Sequence, residues 1–178
     1  MTKEEIEKLK FPIGKFDCPI NISQQKISDW ISIIEHLPSR LKNLVENYTE
    51  AQLDTPYRPN GWTVRQVIHH LPDSHMNAYI RFKWALTEEA PLIKAYHEDR
   101  WAELHDYRGP IEPSLKMLEV LHEKWVYLLK GLDIEKFNNS YMHPESGENF
   151  LKNVVGMYAW HSNHHFSHIQ NLAKREKW

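Results

Sequence analysis

Residues 151–172 read LKNVVGMYAWHSNHHFSHIQNL, and the spacing of their apolar side chains decides the fold class. Leu151, Val154, Tyr158, His161, His165, Ile169 and Leu172 recur at steps of three and four. They therefore form one stripe of an amphipathic helix. A second stripe, Met157, Trp160, His164, His168, Asn171 and Arg175, lies beside it and turns polar toward its C-terminal end. The segment thus holds two interleaved i, i+4 histidine pairs, and periodicity separates them. His161 and His165 point into a bundle, with His164 and His168 alongside.

Outward from that helix the same period recurs. Ile27, Trp30, Ile31, Ile34, Leu37, Leu41, Leu44, Val45 and Tyr48 mark a first long helix, which Pro38 is expected to kink or split. Thr63-Val64-Arg65-Gln66 is a capping-box pattern opening a second helix to about Thr87, with Pro72 one turn inside it. Its core stripe is Val64, Val67, Ile68, Leu71, His75, Tyr79, Phe82 and Leu86. A polar stripe of His70, Ser74, Asn77 and Arg81 borders it. A third helix begins near Pro113-Ser114, carries Leu115, Leu118, His122, Trp125 and Leu129 inward, and ends at Gly131. The fourth spans about Glu148–Lys174, preceded by a loop over Tyr141–Gly147. Short turns are expected at Thr49–Leu53 and Asp133–Phe137. Residues 88–112 form a long loop between helices 2 and 3, a lid or a packed excursion with a short helix near Asp99–Asp106. Residues 1–21 read as an extended arm, and no segment alternates with period two. The expectation is one all-α domain over 1–178, a four-helix bundle.

Composition removes several function classes. A formal net charge of −2 leaves no electrostatic footprint for nucleic acid. No apolar run reaches the roughly 18 residues of a membrane span, and Met1-Thr2-Lys3-Glu4-Glu5 has no signal-peptide character, so a cytoplasmic location is expected. The single cysteine, Cys18, excludes an internal disulfide framework. Histidine is the residue in excess, with 12 copies.

Two imidazoles one turn apart on a buried stripe cost free energy unless something pairs with them, and a shared metal ion does so. A mononuclear site usually takes a third protein ligand. His70, on the stripe bordering the core, is the preferred donor. His69 groups with Trp62, Arg65, Met76 and Lys83, which look superficial. Three histidines from two helices leave a coordination position open, as a catalytic metal requires. His75 and His122 read as packed core histidines. The chain lacks His-Glu-x-x-His. It has one Glu-x-x-His, Glu119–His122, where a di-iron bundle needs two.

Gly61-Trp62-Thr63-Val64-Arg65-Gln66-Val67-Ile68-His69-His70-Leu71 with Asp73-Ser74-His75-Met76-Asn77 resembles the first histidine motif of the DinB-like superfamily, in its YfiT-type branch. Tyr158-Ala159-Trp160-His161-Ser162-Asn163-His164-His165 with His168-Ile169 resembles that branch's second motif. Phe11-Pro12-Ile13-Gly14, Leu53-Asp54-Thr55-Pro56-Tyr57-Arg58 and His143-Pro144 are similar as well. Pro72 departs from the pattern. The resemblance implies a DinB-type bundle, a homodimer, and one divalent metal ion per chain, Zn2+ ahead of Ni2+, on His70, His161 and His165. It implies either a metal-dependent hydrolase or a transferase that moves a low-molecular-weight thiol, bacillithiol, to a small-molecule electrophile. In the second case Asn77 and Arg81 would bind an anionic group of the thiol. A non-catalytic, metal-stabilised stress or binding protein is the competing class, and a pocket opening onto the metal separates the two.

Overall fold

The computed structural model describes residues 2–178. The helices are α1 (Lys3–Lys10), α2 (Gln24–Val45), α3 (Glu50–Leu53), α4 (Val64–Thr87), α5 (Glu98–Trp101), α6 (Glu112–Lys130) and α7 (Leu151–Glu176). Two 3-10 turns, His105–Arg108 and Ile134–Asn138, and a hairpin of β1 (Ser140–His143) and β2 (Gly147–Phe150) complete the chain. The long helices α2, α4, α6 and α7 form the bundle, as the four stripes require.

Their arrangement follows from which faces meet. Helix α2 packs on α6 and α7, and α4 packs on the same two, so α2 and α4 occupy opposite corners. A tight turn cannot join diagonal helices. The chain instead crosses by way of α3, capped by Thr49, and a loop closed by the Tyr57 amide on the Trp62 carbonyl. Gly156 on α7 permits the close approach to α2: a Cβ there would lie 2.8 Å from the Trp30 ring.

The apolar core is divided. One cluster gathers Trp30, Ile34, Phe82, Trp125, Leu151 and Tyr158; the other gathers Leu37, Leu41, Ile68, Leu71, Leu118, Phe166 and Ile169. In α4, α6 and α7 the interval between clusters is where His75, His122 and the pair His161/His165 lie, so the bundle has a histidine layer across its waist.

Three expectations are corrected. Residues 1–21 are not wholly extended, because Lys3–Lys10 form a helix. It buries no residue and is held by a Thr2/Glu5 capping box and a Glu4–Lys8 pair, so no apolar stripe could announce it. The loop expected at Tyr141–Gly147 is a hairpin turning at Gly147, where φ is +75°, and α7 begins at Leu151 rather than Glu148. Its four-residue strands are too short to show alternation, and β1 is supported from outside by the Leu92–Met142 bridge. Pro38 does not split α2, which runs unbroken through it, as α4 does through Pro72. Of the two alternatives for residues 88–112, the structure shows the packed excursion: Gln66 Nε2 donates to the Ala102 carbonyl and Tyr107 to Asp73.

Gly156→Val drives a branched side chain into the Trp30 ring. The expected loss is about 1–3 kcal/mol, read as a lower urea midpoint with an unchanged denaturant slope.

Candidate metal centre

Each histidine of the waist is placed by its helix. The Thr63/Gln66 capping box fixes the start of α4, which brings His70 two turns later to face α7. On α7, His161 and His165 stand one turn apart with ring centroids 4.4 Å apart, and the His70 ring lies 5.3 and 4.8 Å from them. One ring nitrogen from each of the three falls within 4.8 Å of the others. Two nitrogens on one tetrahedral ion, with bonds of about 2.0–2.1 Å, are separated by roughly 3.3 Å. His70 Nε2 and His161 Nε2 are 3.2 Å apart. His70 and His165 each also keep a buried Nδ1 without a hydrogen-bond partner. The donor set and its spacing fit a divalent transition-metal ion.

The electrostatics favour the ligand form. Burial, reinforced by His164, holds His70 down to about 4. Burial and the neighbouring rings hold His161 and His165 well below the usual imidazole value. All three are neutral at physiological pH, the form that offers a lone pair.

His70, His161 and His165 share one cavity of about 380 Å³ with Ser74, Arg81, Tyr96, Glu98, His143, Glu145 and two tryptophans, Trp62 and Trp160. Arg81 is 7% exposed and donates to the Lys94 carbonyl; no carboxylate among the described residues lies within ion-pair distance of it. Asn77 does not line the cavity and donates its side-chain amide back to the Asp73 carbonyl. Tyr96, Glu98, His143 and Glu145 complete the cavity from the loop before α5, the first residue of that short helix and the hairpin, where no period marks a facing direction. The one sequence signal was His143-Pro144.

Further buried histidines surround this centre. His164 stacks on Trp160, and both line the cavity. His164, His165 and His168 form a second group within 4.8 Å. There His168 donates from Nε2 to the Lys10 carbonyl and stacks on Tyr57, away from the cavity. His69 is buried rather than superficial, as is Arg65. His69 donates to the Gly109 carbonyl and accepts from Ser114, while Arg65 pairs with Asp54 and Glu50. Behind His161, on the side away from the cavity, lie His75 and His122, with His75 Nε2 3.0 Å from His161 Nδ1.

Comparison with known proteins follows the same outline. A sequence profile of the DinB superfamily matches residues 33–169. A Bacillus cereus (strain 03BB102) protein named "Putative metal-dependent hydrolase" is 51% identical over 170 residues, which cover 96% of this chain and 98% of that one. A protein of the same description from Bacillus thuringiensis subsp. konkukian (strain 97-27) matches equally. Among solved structures, the chain superimposes on YfiT from Bacillus subtilis with a TM-score of 0.93 at 46% identity, covering 96% of this chain and 99% of that one. YfiT is described as "a probable metal-dependent hydrolase with an unusual four-helix bundle topology". TT2238, a four-helix bundle protein, shares the fold at a TM-score of 0.58 and 18% identity, over 82% of this chain and 98% of that one.

Two outcomes are expected of this site. By equilibrium dialysis against Zn2+, His70→Ala, His161→Ala and His165→Ala each lose tight binding, whereas His164→Ala retains it; the reverse for His164 and His165 would overturn the stripe assignment. Stability of the metal-free protein should also fall with acid. His70 and His122 sit at about 4 when folded against roughly 6.5 unfolded. Between those values the unfolded chain binds more protons, so stability is full above the upper value. It then drops by about 1.4 kcal/mol per pH unit per ring as pH falls toward the lower one. Urea midpoints across that window check the slope.

Proposed function

We propose that this chain, which belongs to the DinB superfamily, is a metal-dependent hydrolase whose divalent ion is held by His70, His161 and His165. The observation that carries the reading is that all three rings border one open cavity. A metal kept only for stability would sit sealed among side chains with no room for a reactant. Relatives named as metal-dependent hydrolases at 51% identity support the same reading.

The residues divide the work. Bound there, a divalent ion supplies Lewis acidity and brings the pKa of a coordinated water or thiol toward neutrality. His70, His161 and His165 would hold such an ion, and the cavity they border would admit the reactant. Arg81, a buried cation with no carboxylate within ion-pair distance among the described residues, suits an anionic group of the substrate, and its fixed fork would orient a carboxylate or phosphate. Trp62 and Trp160 flank the histidines with apolar surface against which an apolar part of the substrate would pack.

Arg81 also favours a second reading on the same site. There a low-molecular-weight thiol carrying a carboxylate, of the bacillithiol type, is transferred through sulfur to an epoxide or alkyl halide. Asn77, hydrogen-bonded to its own helix, has no part in it.

The test is turnover by the Zn2+-loaded protein of anionic and neutral activated esters and electrophiles, with and without thiols. Hydrolysis without thiol that disappears in His161→Ala is expected, with Arg81→Ala raising KM for the anionic substrates selectively. Product formed only with thiol would select transfer. A protein that binds Zn2+ and turns over neither class would leave the non-catalytic reading.

A further inference from the structure

We propose that His122 and His75 are positioning residues for His161. They form a relay of hydrogen-bonded rings, anchored on the Ile34 carbonyl, that holds His161 protonated at Nδ1 and presents its Nε2 lone pair to the cavity.

The geometry leaves one proton arrangement. His122 Nδ1 lies 2.7 Å from the Ile34 carbonyl oxygen, which can only accept, so that nitrogen carries the hydrogen. His75 and His122 are 0% and 1% exposed and contact no carboxylate; each is a neutral ring with a single N–H. His122 has given its hydrogen to Ile34, so its Nε2 is a lone pair and accepts from His75 Nδ1 at 2.8 Å. His75 has then given its own, and its Nε2 accepts from His161 Nδ1 at 3.0 Å. His161 is left with Nε2 as its unprotonated nitrogen, the atom that faces His70 Nε2. Reversing the chain would set two lone pairs against each other at 2.7 Å, with no room for water between them.

The anchor has a cause in the sequence. In an α-helix the Ile34 carbonyl would accept from the amide at position 38, but Pro38 has no N–H to give. The carbonyl is free for His122, which reaches it from α6. Ligating histidines generally donate their second nitrogen to a fixed acceptor, which sets tautomer and ring angle. Here that acceptor is another histidine, backed by a third and finally by the main chain, and bonds in such a chain polarise one another.

The proposal rests on His161 as a metal ligand, and its test separates the two. In the ¹⁵N-labelled, metal-free protein at neutral pH, long-range ¹H–¹⁵N correlation spectra should show His122, His75 and His161 all protonated at Nδ1 and bare at Nε2. A proton on His161 Nε2, or the mixture seen for solvent imidazole, overturns the relay. His122→Phe keeps a buried ring but removes the acceptor. It should give His161 a mixed tautomer and weaken Zn2+ binding about 10–100-fold. A merely structural role would lower the melting temperature and leave both unchanged. Should His122→Phe not fold, the wild-type spectrum decides alone. A wild-type protein with the Nδ1–H pattern that does not bind Zn2+ would overturn the metal reading and leave the relay standing.

Discussion

The hydrogen bond from His122 to the Ile34 carbonyl is the contact on which the middle of this molecule depends. A helical carbonyl deprived of its amide partner inside a core is expensive, because burial without a partner forfeits the bonds that water would have made. A neutral imidazole with one hydrogen to donate is an equally awkward core residue. Pro38 and His122, on facing helices α2 and α6, remove each other's difficulty. His75 and His161 then extend the arrangement across the bundle to the cavity.

That layer explains why the core is two clusters rather than one. Aliphatic and aromatic side chains fill the bundle above and below the waist. Between them, the bonds Ile34–His122–His75–His161 are made in one register only, so α2, α6, α4 and α7 cannot slide past one another without breaking that sequence of donors and acceptors. The apolar clusters supply most of the free energy, through area removed from water. The histidine layer supplies alignment, and alignment to a fraction of an ångström is what three ligands on two helices require.

The bundle was legible because its signal is periodic. The stripe on α7 separated His161 and His165 from their neighbours, and the stripe on α4 set His70 beside the core; the structure brings those three rings together. What escaped had no period to show. Helix α1 is stabilised by its caps and buries nothing, and the hairpin strands are too short to alternate. Arg65 and His69 face away from the bundle axis, which a stripe reading takes to mean solvent; the excursion over 88–112 covers them through Gly109 and Tyr107. Pro38 suggested a kink or split in its helix. The bond it removes from the Ile34 carbonyl is made good from outside the helix, by His122, eighty-eight positions after Ile34 in the chain.

The diagonal placement of α2 and α4 also constrains how the protein is made. Neither can bury its apolar face on the other, so both wait for partners encoded downstream. Helix α6 follows them first in the chain and α7 comes after it, carrying two of the three candidate ligands. Until then Leu37, Leu41 and Ile68 lack the surface of Phe166 and Ile169 that completes their cluster. A chain lacking α7 would leave an apolar trough open, the kind of surface that chaperones shield and that aggregates when left bare. Docking of α7 completes both the fold and the candidate metal centre in one event, so a chain truncated before α7 has neither.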